Sequence, residues 1–208
     1  YEKNASASID GDTYVTLTDG ASVSANSSSG NGAVYGGGEV YAFADGGRAD
    51  VTGTTHVYLQ SADLRSTYVY GGSDVSKNGW STIQETSVII ESTNTSNNQI
   101  YAGSRINNGN QGSAVVNKAS IVISRPISGS TASNIYGGGY GAKSFVGEVS
   151  INLDGGTVGF TGSSLYAGGN NSDSASVNAV LVGSATVTLR HARLSHLYAA
   201  GNKSAVEE

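Results

Sequence analysis

The side chains of this 208-residue sequence best suited to chemistry are sixteen acids, three histidines and one tryptophan. Polysaccharide hydrolysis by paired carboxylates needs two acids on one face, about 5–9.5 Å apart. Asp10, Asp12, Asp45, Asp63, Asp74, Glu91 and Asp173 fall mostly in turn-like stretches, and no acid recurs at an equivalent place in neighbouring units of the repeat set out below. A lyase would want calcium-binding aspartates beside an Arg or Lys base, yet Arg48, Arg65, Arg105 and Arg125 have no matching acid cluster. His191 and His196, with Arg190 and Arg193, make a small basic corner. With His56 they lack the spacing and third ligand of a zinc site. Asp10-Gly11-Asp12 is similar to the start of a calcium loop, but the remaining oxygen ligands do not follow at their spacing. No catalytic residue, metal site or cofactor is assigned, and the expectation is a protein that is not an enzyme.

The remaining chemistry is recognition by aromatic rings. Six tyrosines, Tyr35, Tyr70, Tyr101, Tyr136, Tyr166 and Tyr198, each follow a Val, Ile or Leu and precede Gly or Ala, at intervals of 35, 31, 35, 30 and 32 residues. Self-similarity at such a period marks a solenoid, propeller or array. Stacked unit upon unit, these rings would form either a platform for the C–H faces of sugars or a structural ladder, in which each aromatic pair contributes roughly 0.5–1.5 kcal/mol beyond its buried area. A residue present in every unit serves the fold first, so the ladder is the expectation. Ligand contacts are expected where units differ: at Trp80 with Asn78, at Tyr68 near Asp74, and in the first-unit loop at Tyr41, Phe43 and Arg48. For Trp80 the competing expectation is a lid on the core.

The elements that must position these rings are short strands. Before each tyrosine lies an alternating segment that puts Val15/Leu17, Val57/Leu59, Val88/Ile90, Ile121/Ile123, Ile151/Leu153 and Val187/Leu189 on one face. After each tyrosine comes a Gly/Asn/Ser-rich passage, then in most units a third apolar patch, at Val40 to Phe43 or Val51 in the first unit, and at Ile83, Val115–Val116, Val146 and Val180–Val182 in later ones. Thirty glycines, one proline and no cysteine or methionine fit many strands and tight turns. The expected fold is all-β, a right-handed parallel β-helix (β-solenoid) of about six coils of 30–35 residues, with three short strands in each. A propeller is the rival, but the two-residue hairpin signal its blades need is not regular here. Residues 1–208 are read as one domain, and as an excised piece of a longer repeat protein.

A net charge of -5 with no basic stripe argues against nucleic acid. No apolar run reaches the ~18 residues of a membrane span. The expected partners are a glycan or a host surface protein, and open sheet edges invite end-to-end or edge self-association.

The strand at residues 149–154, the Asp-Gly-Gly-Thr-Val turn at 154–158 and the closes at 134–141 and 165–170 together resemble repeats of long, surface-anchored, adhesin-like bacterial proteins, notably of gut Gram-positives. The resemblance covers nearly the whole chain and is blurred at 39–50 and 63–67. It implies a right-handed β-helix in an extracellular adhesin or stalk at the bacterial cell surface, and it transfers no catalytic residue. A carbohydrate-active β-helix enzyme, or a fragment of one, is the alternative.

Overall fold

The computed structural model describes residues 6–23, 31–40, 46–76, 78–95, 98–107, 112–125, 134–155, 160–161, 163–171, 181–202 and 205–206. Every pairing between its strands is parallel. A seven-stranded sheet stacks Thr13–Leu17, Val51–Gln60, Trp80–Glu91, Ser113–Ser124, Ser144–Asp154, Leu181–Arg190 and Ala205–Val206 in chain order. A six-stranded sheet stacks the tyrosine strands Gly32–Tyr35, Thr67–Tyr70, Gln99–Tyr101, Asn134–Tyr136, Ser164–Tyr166 and His196–Tyr198. Glu39–Val40, Asp74–Ser76 and Arg105–Asn107 make a third, three-stranded sheet, and Phe160–Thr161 pairs with Ala192–Arg193. The chain is a parallel β-solenoid, and no helix occurs among the described residues.

Like residues stand above like. The columns Val57, Val88, Ile121, Ile151, Val187 and Leu59, Ile90, Ile123, Leu153, Leu189 run in strict register. All but Leu189 at the last layer meet Val69, Ile100, Ile135 and Leu165 of the tyrosine strands in one continuous core. The middle coils are sealed, with Leu59, Ile121 and Leu165 fully buried, while the last coil leaves Leu197 54% exposed. A solenoid unit buries its apolar face only against its neighbours, which explains the difference. Inward-facing threonines are satisfied across the interior. The hydroxyls of Thr55 and Thr86 donate to the carbonyls of Gly71 and Ala102 at 2.5 and 2.7 Å.

Two details depart from the sequence reading. The patches expected as a third side, Val51, Ile83, Val116, Val146 and Val182, belong to the same long strands as the alternating segments, which reach ten to twelve residues in the middle coils. The third side is the short strand after the first three tyrosines, as the Val40 alternative had it for the first unit, and Val40, Val75 and Ile106 pack there with Ala49 and Ala114 in a small second core. In the fourth and fifth coils the matching residues are Gly141, at φ +87°, and Asn171, so that side continues only as single bridges through Tyr140, Asn170 and Asn202.

The second departure concerns the corners. The turn off the long strand is made by Ser61, Ser92, Arg125 and His191 at φ of 48–52°, where glycine would be the unstrained choice. Three of them aim the N–H along the axis: Ser61 to the Glu91 carbonyl at 3.0 Å, Ser92 to that of Ser124 at 3.2 Å and Arg125 to that of Asp154 at 3.2 Å.

Candidate functional site

The six tyrosine rings form a single stack. Successive centroids lie 5.0, 4.7, 4.6, 4.9 and 4.6 Å apart, and each pair of rings is parallel within 7–11°. The spacing is that of neighbouring strands, so backbone hydrogen bonding between coils delivers each ring onto the next. The rings point away from the main core, as alternation requires, yet Tyr70, Tyr101 and Tyr136 are buried in a cluster of their own. Tyr68 and Tyr140 close over this cluster edge-on, 6.5 Å from Tyr70 and 5.8 Å from Tyr101.

The phenol hydroxyls are met by residues two coils further along. Arg105 donates to the Tyr35 oxygen at 2.8 Å, Asn170 donates to the Tyr101 oxygen at 3.1 Å, and Asn202 bonds the Tyr136 hydroxyl. Each of these partners is the fourth residue after its own coil's tyrosine, the position that sequentially holds Glu39, Asp74, Arg105, Tyr140, Asn170 and Asn202. These six are stacked in register as a second column. Sequence reasoning missed it because the residue type runs from acid through Arg and Tyr to Asn; the column also sets two acids, Glu39 and Asp74, on neighbouring coils, where the sequence reading expected none at equivalent places.

Burial raises the Tyr35 phenol to about 12, with Asp74 adding to the shift and Arg105 opposing it. Burial, then the neighbouring Tyr166, raises Tyr136 to about 12. Tyr70 and Tyr101 are pushed up by the same burial. Because these folded values exceed the ordinary phenol value of 10, the neutral rings contribute stability that is complete below pH 10 and is lost as pH rises through about 12. An alkaline titration should therefore show tyrosinate absorbance from these rings appearing together with loss of the sheet circular dichroism between those two values. Full tyrosinate absorbance near pH 10 with the sheet signal intact would contradict the buried stack.

Beside the stack lies a compact polar group. Arg105 reaches Asp74 at 3.3 Å as well as Tyr35, and burial raises the Asp74 carboxyl against the opposing pull of Arg105 and the Tyr35 hydroxyl. One oxygen of Asp74, Oδ1, is buried and accepts no hydrogen bond.

The remaining sequence candidates are spread over other faces. Trp80 opens a long strand instead of sitting in a loop. Its backbone bridges Arg48 on one side and pairs with Ser113 on the other. The indole is 48% exposed and, with Arg48, Thr82, Ser113 and Val115, lines a shallow groove on the outer face of the long sheet. Arg48 is held by Asp50 at 2.8 Å. Asn78 is an exposed turn residue two positions before Trp80. Tyr68 belongs to the tyrosine cluster and a different sheet, so it is not brought to Trp80. Tyr41 and Phe43 lie outside the described residues.

The Asp10-Gly11-Asp12 carboxylates are already engaged. Asp10 accepts from the Thr52 hydroxyl at 2.8 Å, and Asp12 accepts from the Thr54 N–H at 2.8 Å and the Tyr14 hydroxyl at 3.2 Å, so they brace the strand irregularity between Val51 and Thr54. Among the other described acids, Asp63 pairs with Arg65 at 2.7 Å, Glu91 with Arg125 at 3.0 Å, Glu148 with Lys118 at 3.7 Å, and Asp154 with His191 at 3.2 Å. His196 lies 3.4 Å from the Ser164 hydroxyl. Among the described residues, no group of three His, Asp or Glu side chains could hold a metal ion. No family model, curated protein or solved structure matches the chain.

Proposed function

We propose that this chain is a non-enzymatic segment of a bacterial cell-surface adhesin, a stiff β-solenoid rod that carries a recognition face. The observation that carries this reading is the continuous stack of six parallel tyrosine rings alongside the apolar core. Such a stack couples every coil to the next by side chains as well as by backbone, which suits a body that must bear load or hold a binding face at a distance. Asp50, Asp63, Glu148 and Asp154 are each engaged by one basic side chain, which supports the same reading, since a hydrolase or lyase needs carboxylates left free to act together.

Recognition falls to the Trp80 groove. An exposed indole flanked by Arg48, Thr82 and Ser113 combines a flat apolar surface with hydrogen-bonding groups, the pairing that a sugar ring requires. Titration of the full chain with a broad panel of glycans should quench or shift Trp80 fluorescence for at least one of them, and Trp80→Ala should abolish binding of that glycan. A flat fluorescence response across the panel counts against carbohydrate recognition at this groove. Turnover of any polysaccharide that disappears on substituting a single acid would overturn the non-enzymatic reading.

A further inference from the structure

Arg48 and Trp80 pair across neighbouring layers of the solenoid. The Trp80 N–H donates to the Gly47 carbonyl at 2.8 Å, and the Ala49 N–H donates to the Trp80 carbonyl at 3.0 Å. Ala49 and Ser81, the next residue of each segment, are buried, so alternation turns Arg48 and Trp80 outward together. Ser6 bridges Arg48 on one side and Ser113 pairs with Trp80 on the other, which sets the two within the stack with a layer on each side.

Asp50 holds the guanidinium in one orientation. Arg48 Nε donates to Asp50 Oδ2 at 2.8 Å, while Asp50 Oδ1 accepts the Thr82 N–H of the next layer, also at 2.8 Å. The Asp50 side chain is 16% exposed and that of Arg48 54%, so the carboxylate braces the arginine from beneath and leaves its tip in solvent. Among the described residues the terminal nitrogens Nη1 and Nη2 of Arg48 make no hydrogen bond. An arginine engaged only through Nε keeps a planar pair of N–H donors at its tip, the fork that matches a carboxylate.

Two shallow hollows of about 350 Å³ each meet at Arg48 and Thr82, a volume at the lower end of the range for small-ligand sites. One contains Trp80 and Ser113; the other is lined by Asp50, Thr52 and Gln84 and has no aromatic ring. A neutral sugar laid on Trp80 would take water from the guanidinium tip and return only hydroxyl oxygens. A carboxylate returns charge-assisted hydrogen bonds, which are about twice as strong as neutral ones. A sulfate or phosphate ester turns three oxygens outward and calls for further cationic donors, and Arg48 is the only cation lining either hollow.

We propose that this groove selects glycans that carry a carboxylated sugar, a refinement that rests on the glycan reading of the same groove. The sugar ring lies on the indole of Trp80, and its carboxylate accepts from Nη1 and Nη2 of Arg48. Neighbouring strands are about 4.8 Å apart, so one sugar residue reaches both side chains. The adjoining sugar occupies the polar hollow at Thr52 and Gln84. Because Asp50 cancels the formal charge of Arg48, the preference comes from directed donors and not from a net positive field.

The test is an array of neutral, carboxylated and sulfated oligosaccharides probed with the full chain, followed by titration of the strongest carboxylated binder in its acid and carboxyl-reduced forms. Trp80 is the sole tryptophan, so its fluorescence reports the titration. Carboxylated members should dominate the array, and the carboxyl-reduced form should bind at least about tenfold more weakly. Arg48→Gln should lose the same factor for the acid form and leave the dissociation constant of the reduced form unchanged, with the sheet circular dichroism of the parent. A preference for neutral or sulfated members, or equal weakening of both forms by Arg48→Gln, would overturn the proposal. Neutral glycans whose binding is abolished by Trp80→Ala and untouched by Arg48→Gln would remove the acid selectivity while the glycan reading stands. Binding to no member of the array would remove both.

Discussion

Replacement of Tyr101 by alanine is expected to lower stability by about 3–5 kcal/mol, the range for deleting a large buried aromatic side chain. Tyr101 is fully buried between Tyr70 and Tyr136, 4.7 and 4.6 Å away, and its hydroxyl is held by Gln99 at 2.5 Å and Asn170 at 3.1 Å. The substitution removes two stacking partners and leaves those polar groups facing a cavity. Since a domain's total stability is about 5–15 kcal/mol, urea denaturation followed by circular dichroism should register a large loss. Two companions fix the cause. Tyr101→Phe keeps the stack and should cost about 1–2 kcal/mol. Tyr198→Ala, at the open end where the ring is 42% exposed, should cost less than about 1 kcal/mol. Equal losses at Tyr101 and Tyr198 would mean that position within the stack does not matter.

The second large effect belongs to the glycine two residues after each tyrosine. Gly37, Gly72, Gly103, Gly138 and Gly168 stand in one column, and each of the first four donates its N–H to the carbonyl of the next at 3.1–3.2 Å. A Cβ on Gly138 would lie 2.7 and 2.8 Å from the backbone N and Cα of Gly169, and 3.0 Å from the Val182 side chain. A Cβ on Gly168 would lie 2.6 Å from the N of Gly201. These are contacts with backbone of the following coil, so no rotamer change relieves them. The column ends in Ala200, the one member with no further coil placed over it among the described residues. Gly138→Ala is expected to cost about 2–3 kcal/mol by forcing two coils apart, whereas Ala200→Gly should change stability by less than about 1 kcal/mol. A neutral Gly138→Ala, by the same denaturation measurement, would contradict the close approach of the coils.

The architecture was legible in the sequence wherever residue type repeats with position. The pairs from Val57/Leu59 to Ile151/Leu153 alternate in every unit, and the structure buries them. The six tyrosines mark the period because one backbone environment recurs six times. Legibility failed where position repeats and type does not. Glu39, Asp74, Arg105, Tyr140, Asn170 and Asn202 share a column but differ in charge, size and hydrogen-bonding sense, so nothing in their identities announces a common role. The corners carry no glycine signal at Ser61, Ser92 and Arg125, yet these residues take the left-handed conformation, held there by N–H bonds along the axis and by the strands on either side. The division of the sides was misjudged because a buried strand of a stacked sheet shows apolar residues at both its ends. Val51 and Leu59 therefore read as two patches when they belong to one strand.

The central claim is that equivalent residues of successive coils lie one above another along an axis, with the tyrosine rings in van der Waals contact. A crystal structure of the chain tests this most directly. The account predicts one column in which Tyr35, Tyr70, Tyr101, Tyr136, Tyr166 and Tyr198 follow in chain order with centroids 4.6–5.0 Å apart. Rings distributed around a central channel, or divided between separate lobes, would contradict it.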